Sequence, residues 1–105
     1  MTTQRSVALL GSTGSIGTQA IEVAQANPDR FSVRGICAHG SDVALLARQA
    51  VELAVDVVGV ARTEVAVELA EAIAHTASQQ GRRGFEPRVI SGDDAATRVA
   101  GMGAD

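Results

Sequence analysis

The sequence predicts an α/β fold in which helices cover both faces of a parallel, doubly wound sheet. Short apolar runs alternate along the chain with segments of helical periodicity that are long enough to serve as crossovers between parallel strands. The core must be aliphatic, because 46% of the 105 residues are hydrophobic and only 2% are aromatic. Aliphatic strands covered by alanine-rich helices are typical of a buried parallel sheet.

The first strand, helix and second strand are predicted from local patterns. The run SVALL at residues 6–10 is long enough for a buried strand, and residues 15–26 carry apolar side chains at helical spacing. Pro28 should end this helix, since it disfavours helical geometry at the residue before it. A β-rich run follows at residues 31–38. Strict alternation would place four of its residues on one face: Phe31, Val33, Gly35 and Cys37.

A second helix should begin after Ser41 or Asp42, either of which can cap a helix N-terminus. Its predicted core-facing positions recur at helical spacing. They are Val43, Leu46, Ala50 and Leu53.

The second half of the chain repeats the alternation. A third strand is predicted at residues 55–60, a longer helix capped by Thr63, and a short fourth strand at residues 88–90. Ser91 should open a last helix whose first turn contains two acids, because negative charge there interacts favourably with the positive end of the helix dipole. These acids are Asp93 and Asp94. Because the complete dinucleotide-binding fold needs more strands, we expect the sheet to be truncated before its later strands.

A glycine motif at residues 11–17 lies between the first strand and the first helix, with Gly11, Gly14 and Gly17 at G-x-x-G-x-x-G spacing. Free N–H groups at a helix N-terminus attract anions. Gly11 should permit a sharp turn, Gly14 should let a phosphate approach the backbone, and Gly17 should let the helix pack close to the strand. Thr13 and Ser15 add hydroxyl donors. The alternative is a tight turn without a ligand, which would not need three glycines.

The loop after the second strand bears on the choice of dinucleotide. NAD-binding proteins usually carry an acid at this strand end to bind the ribose 2′-hydroxyl, and none stands here. Asp42 comes later and resembles a helix cap. His39, Gly40 and Ser41 could accept a 2′-phosphate, which favours NADP(H), although His39 is equally compatible with a solvated loop.

Composition excludes several classes of function. A net charge of −3 argues against a nucleic-acid partner, and no apolar stretch approaches the about 20 residues of a membrane span. A single cysteine, Cys37, allows no internal disulfide and is expected to be a buried core residue. The start of the chain shows no secretory signal, so we expect a cytoplasmic protein. Arg82 and Arg83 are expected in a solvated loop.

Three segments resemble the 1-deoxy-D-xylulose 5-phosphate reductoisomerase family. They are LGSTGSIGTQ at residues 10–19, NPDRFSVRGICA at 27–38 and SGDDAATRVA at 91–100. The family reduces and rearranges 1-deoxy-D-xylulose 5-phosphate to 2-C-methyl-D-erythritol 4-phosphate in non-mevalonate isoprenoid synthesis, using NADPH and a divalent cation (Mn²⁺ or Mg²⁺). The resemblance implies that residues 1–105 form an incomplete, Rossmann-like N-terminal NADPH-binding domain, with the catalytic and C-terminal domains absent.

The resemblance also implies the site residues. Thr13, Gly14, Ser15 and Ile16 would bind NADPH through backbone and hydroxyl groups, and His39, Gly40 and Ser41 would form the second cofactor contact. The family more often has glycine in place of His39. No catalytic residue and no metal ligand is expected within the chain, and Asp93 and Asp94 are expected to be solvated. The chain alone should therefore be inactive, while the full-length enzyme would be a homodimer that binds a sugar phosphate.

Two alternatives remain open on sequence alone. One is a free-standing nucleotide-binding or regulatory module that performs no chemistry, which the missing catalytic acids would favour if the chain is complete. The other is a different NADP-dependent dehydrogenase with a G-x-T-G-x-x-G turn, which the NPDRF segment disfavours.

Overall fold

Strands and helices alternate through the computed structural model, which describes residues 4–103. The four strands are parallel and lie in the sheet in chain order. A short 3₁₀ helix, Thr63–Val65, precedes the third α-helix. The strands are β1 (Arg5–Leu10), β2 (Phe31–Ala38), β3 (Val57–Val60) and β4 (Arg88–Ser91), and the helices are α1 (Ser15–Ala26), α2 (Val43–Leu53), α3 (Ala66–Gln79) and α4 (Ala95–Gly103).

Helices cover both faces of the sheet, which confirms the predicted doubly wound α/β class. Successive strand residues point to opposite faces. Val58 therefore packs with α1, α2 and α3, whereas the adjacent Val57 packs with Val99 of α4. Helix α4 crosses the second face against β1, β2 and β3. The core on both faces is aliphatic, as the composition predicts.

A β-bulge in β2 changes which residues share a face. Val7 pairs with Val33, but the next residue of β1 pairs with Gly35, so Arg34 is an extra residue in the ladder. The prediction that Val33 and Cys37 lie on one face is therefore wrong: Val33 packs with α1–α3 and Cys37 with α4. The side chain of Arg34 points to solvent, where its Nε lies 3.3 Å from Asp56 Oδ2.

Several element boundaries differ from the sequence-based expectation. Strand β1 begins one residue earlier, at Arg5, and β3 begins at Val57 rather than at residue 55. The second difference arises because α2 ends in a left-handed residue, Ala54 (φ 52°), after which the Val55 N–H donates to the Ala50 carbonyl. The prediction that Thr63 caps α3 is wrong, because Thr63 begins the 3₁₀ helix and its side chain caps nothing.

The start of α4 also differs. Ser91 is the last residue of β4, not the start of the helix, and Asp93 and Asp94 lie in the connection before Ala95. The first turn of α4 contains no acidic residue. The Asp94 carbonyl accepts a hydrogen bond from the Arg98 N–H, so this residue contributes its backbone to the helix start.

Arg82 is an exposed loop residue, as the sequence suggests, but its side chain is also tied to the fold. Its guanidinium donates a hydrogen bond to the Val51 carbonyl in the last turn of α2, which also accepts from the Ala54 N–H. A cation at a helix C-terminus stabilises the helix dipole. The loop after α3 is thereby tied to α2.

Gly17 allows α1 to lie directly against the chain that leaves β1. A Cβ atom at Gly17 would lie 2.1 Å from the Gly11 carbonyl oxygen and 2.8 Å from Ser12 Cα. No side chain fits this space, so the sequence-based role of Gly17 in close packing is confirmed.

We expect Gly17→Ala to destabilise the fold by about 2–4 kcal/mol, because α1 must move away from the turn to admit the methyl group. Urea unfolding followed by circular dichroism measures this change. The matched control is Gly14→Ala, whose Cβ would lie an ordinary 3.5 Å from the Gly11 carbonyl oxygen and which should cost about 1 kcal/mol or less. Equal stability of the two variants would contradict the packing role of Gly17.

We expect Arg82→Ala to lower the free energy of unfolding by about 1–2 kcal/mol, since a charge-assisted hydrogen bond to a helix end is lost. Arg83→Ala is the control, because the described residues offer Arg83 no hydrogen-bond partner. Thermal unfolding of both variants provides the comparison. If they melt at the same temperature, the contact with Val51 contributes no stability.

Candidate functional site

The glycine turn, residues 11–14, joins β1 to α1 and is tied to β2. The N–H groups of Gly11 and Ser12 both donate to the Cys37 carbonyl, at 2.7 and 3.0 Å. Gly11 has a positive φ of 75°, which confirms that it permits the sharp turn. The Gly14 N–H then donates to the Gly11 carbonyl at 3.1 Å. The turn is thus closed internally and fixed at the carboxyl edge of the sheet.

The N-terminus of α1 presents unpaired donors beside this turn. Among residues 4–103, none accepts a hydrogen bond from the N–H groups of Ser15, Ile16 or Gly17. Gly14 occupies the N-cap without a side chain, and the first turn of the helix contains no acid. The positive end of the helix dipole is therefore available to an external anion.

The structural reasons for glycine differ between positions 14 and 17. Its φ of −77° is open to any residue. A Cβ at this position would meet only the Gly11 carbonyl oxygen, at 3.5 Å. Neither backbone conformation nor packing within the chain demands glycine here, and its open side leaves space for an external group.

A cleft of about 560 Å³ adjoins the turn and brings most of the predicted residues together. Two exposed apolar side chains, Leu10 and Ile16, border it, and Ile16 is 84% exposed. The half-buried Thr13 lies outside the lining. The lining residues are Leu9, Leu10, Gly11, Gly14, Ser15, Ile16, Gly17 and Ala20.

The loop after β2 lies at the same edge of the sheet, because β1 and β2 are parallel neighbours. His39 and Ser41 are exposed, whereas Gly40 is buried. Gly40 has a φ of 116°, and a Cβ there would lie 2.8 Å from Val60 Cγ2. The fold alone thus requires glycine at position 40.

Asp42 caps α2: its carboxylate accepts a hydrogen bond from the Leu45 N–H at 3.1 Å. Of the two predicted caps, the structure therefore selects Asp42 and not Ser41. The first acid after β2 is thus engaged as a helix cap, whereas an NAD-binding protein usually uses an acid at this strand end to bind the ribose 2′-hydroxyl.

His39 borders a second cleft, of about 360 Å³, at the carboxyl ends of β2, β3 and β4. Arg62 lines the same cleft, and 40% of its side chain is exposed. Its Nε lies 3.7 Å from Glu64 Oε1. Arg62 was not identified from the sequence, because only the parallel pairing of β2 with β3 brings it beside His39. The cleft therefore places Arg62 next to the predicted 2′-phosphate loop, together with two acidic residues, Glu64 and Asp93.

Ser12 and Gln49 were also missed. Gln49 Nε2 of α2 donates to the Ser12 carbonyl at 2.8 Å, and both residues are buried. The available signal was the position of Gln49 within the apolar stripe of α2, three residues after Leu46 and four before Leu53. A polar residue at a core position requires a hydrogen-bond partner.

Cys37 contributes its backbone and not its thiol to the site. The residue is 4% exposed, which confirms the predicted burial, and it packs against α4; burial raises the pKa of the thiol. A neutral, enclosed thiol is a packing group. Residues 4–103 contain no group of three or more His, Cys, Asp or Glu residues placed to hold a metal ion. No helix in the same part of the chain is long and apolar enough to cross a membrane.

Comparison with known sequences identifies relatives over nearly the whole chain. The family model for 1-deoxy-D-xylulose 5-phosphate reductoisomerase matches residues 7–104. The enzyme of that name from Cutibacterium acnes is 48% identical over 101 residues, which are 96% of this chain and 25% of the relative. The one from Beutenbergia cavernae is 52% identical, over 96% of this chain and 24% of the relative. The chain thus spans about a quarter of the length of these curated relatives.

Solved structures show the same architecture. The 1-deoxy-D-xylulose 5-phosphate reductoisomerase of Zymomonas mobilis, in complex with NADPH, superimposes with a TM-score of 0.80 at 29% identity, covering 97% of this chain and 24% of the other. A crystal structure of DOX-P reductoisomerase in complex with magnesium superimposes with a TM-score of 0.75 at 23% identity, which shows the shared fold. It covers 92% of this chain and 22% of the other. With the match to the family model, these findings show that the chain belongs to the 1-deoxy-D-xylulose 5-phosphate reductoisomerase family.

Proposed function

We propose that this chain is the NADPH-binding part of a 1-deoxy-D-xylulose 5-phosphate reductoisomerase. The observation that carries the proposal is the set of unpaired N–H groups of Ser15, Ile16 and Gly17 beside the open side of Gly14. This arrangement suits a diphosphate, which needs backbone donors and room to approach them. A related enzyme, 29% identical, was solved in complex with NADPH.

The glycine motif would hold the diphosphate of the cofactor. Thr13, Ser15 and Ile16 would contribute backbone N–H groups, and Thr13 and Ser15 would add hydroxyls. Gly14, whose N–H already donates to the Gly11 carbonyl, would leave room for the diphosphate, while Gly11 and Gly17 shape the turn. When bound, NADPH supplies a hydride for reduction of a carbonyl. The contribution of this chain is to fix the diphosphate and adenosine end of the cofactor at the edge of the sheet.

The loop of His39, Gly40 and Ser41 would bind the 2′-phosphate, with Arg62 beside it. Support comes from the second cleft, which His39 and Arg62 share, and from Asp42, whose carboxylate is engaged in capping α2. A cationic group attracts a phosphate, and the first acid after β2 is engaged as a helix cap, while Glu64 and Asp93 line the same cleft.

For the complete reaction we propose the conversion of 1-deoxy-D-xylulose 5-phosphate to 2-C-methyl-D-erythritol 4-phosphate, a step of isoprenoid synthesis that also needs Mn²⁺ or Mg²⁺. We assign no catalytic residue and no metal ligand to this chain, and we expect it to turn over no substrate by itself. Support is its coverage of about a quarter of the length of its relatives. The division into domains, the homodimer and the cytoplasmic location stay predictions.

Gly14→Val should weaken NADPH binding by about 2–4 kcal/mol, because the added methyl groups block approach to the backbone donors. Isothermal titration of the chain with NADPH measures the change. Gly101→Val is a matched control, since Gly101 is exposed and an added Cβ there would meet nothing within 4 Å. Unchanged NADPH affinity in Gly14→Val would refute the proposed role of the turn.

The chain should bind NADPH more tightly than NADH, and Arg62→Gln should narrow that difference, because a positive charge beside the 2′-phosphate is lost. Arg48→Gln, which removes an exposed arginine from α2, should leave the preference unchanged. Titrations of each variant with NADPH and with NADH give the ratio of the two dissociation constants. Equal affinity for NADPH and NADH in the unaltered chain would contradict the assignment of the 2′-phosphate loop.

A further inference from the structure

The peptide groups of Ser12 are held from two sides. Its N–H donates to the Cys37 carbonyl of β2 at 3.0 Å, and its carbonyl accepts from Gln49 Nε2 of α2 at 2.8 Å. Ser12 is fully buried, and Gln49 is 5% exposed. Two different elements therefore fix the orientation of one residue of the glycine turn.

Fixing the Ser12 carbonyl also fixes the next N–H group. The described peptide bonds are all trans, so the Ser12 carbonyl and the Thr13 N–H, which share one peptide plane, point in opposite directions. Because the carbonyl points at the buried Gln49, the Thr13 N–H points away from it. None of residues 4–103 accepts a hydrogen bond from this N–H.

Gln49 occupies a position where packing alone would favour an apolar residue. It lies on the apolar face of α2, and its Oε1 atom has no hydrogen-bond partner among the described residues, nor has the neighbouring Ser12 hydroxyl. A buried, half-satisfied amide costs stability compared with a hydrocarbon side chain of similar volume. The one hydrogen bond that the Gln49 side chain makes to the described residues is with the glycine turn. This bond offsets part of that cost.

We propose that Gln49 is a positioning residue for cofactor binding: it orients the Ser12–Thr13 peptide so that the Thr13 N–H faces the diphosphate of NADPH. The inference rests on the proposed function of the glycine turn. Gln49 does not touch the cofactor and acts only through the peptide that it holds.

The test replaces Gln49 with methionine, which keeps an unbranched side chain and removes the donor. Gln49→Met should lower NADPH affinity about 10-fold, the loss expected for one hydrogen bond to a charged group, and should make the fold somewhat less stable, because the buried Ser12 carbonyl loses this donor. Binding of adenosine 2′-monophosphate, which lacks the diphosphate, should be unchanged. In ¹⁵N-labelled chain, NADPH should shift the Thr13 amide resonance, and Gln49→Met should abolish that shift. Gln79→Met, the same change at an exposed position ending α3, is the control.

The outcomes separate this inference from the proposed function. If the unaltered chain binds no NADPH, the proposed function fails and this inference fails with it. If the unaltered chain binds NADPH and Gln49→Met binds it equally well, the inference alone is overturned. An equal loss of affinity for NADPH and for adenosine 2′-monophosphate would also overturn it, because that result indicates general disturbance of the fold.

Discussion

The Cys37 carbonyl, which accepts hydrogen bonds from both Gly11 and Ser12, is the contact on which the rest of the site depends. It joins the carboxyl end of β1 to that of β2 at the point where the chain leaves the sheet. The chain must reverse there, and Gly11 provides the left-handed conformation for the reversal. Helix α1 then runs back across the sheet so close to the turn that only Gly17 fits at the contact. One backbone carbonyl thus determines where α1 begins and which edge of the sheet its N-terminus faces.

The charges at this edge distinguish two helix ends that lie side by side. Asp42 caps α2 with a carboxylate, so the N-terminus of that helix is already neutralised from within the chain. Helix α1 has Gly14 at its N-cap and no acid in its first turn, so its dipole is not compensated by any described residue. The N-terminal dipole of α1, unlike that of α2, is therefore available to an anion at this edge. This difference, more than the glycine spacing, explains why the diphosphate is assigned to the first crossover.

Local patterns predicted most of the fold, and contacts between distant segments explain what they missed. The bounds of α1 and β2 follow from Pro28 and from a β-rich run, both of which act within a few residues. The bulge at Arg34 depends on register with β1, the bond from Arg82 depends on where α2 ends, and Arg62 meets His39 only through strand pairing. In the site, the glycine motif was visible in sequence. Gln49 was not identified, because its partner Ser12 is 37 residues away.

The glycines of the site show how a ligand requirement can be separated from a folding requirement. Gly17 and Gly40 have neighbouring atoms within 3 Å of a Cβ, so the fold by itself accounts for them. Gly11 is accounted for by its positive φ. Gly14 has an ordinary φ and an open side, and it is the one glycine of the motif that neither packing nor backbone strain explains. Glycine is a favoured residue at a helix N-cap, and at Gly14 the missing side chain also leaves room for an external group. The surroundings of Gly14 therefore bear more directly on ligand binding than those of Gly11, Gly17 and Gly40, although all four glycines lie at the same edge of the sheet.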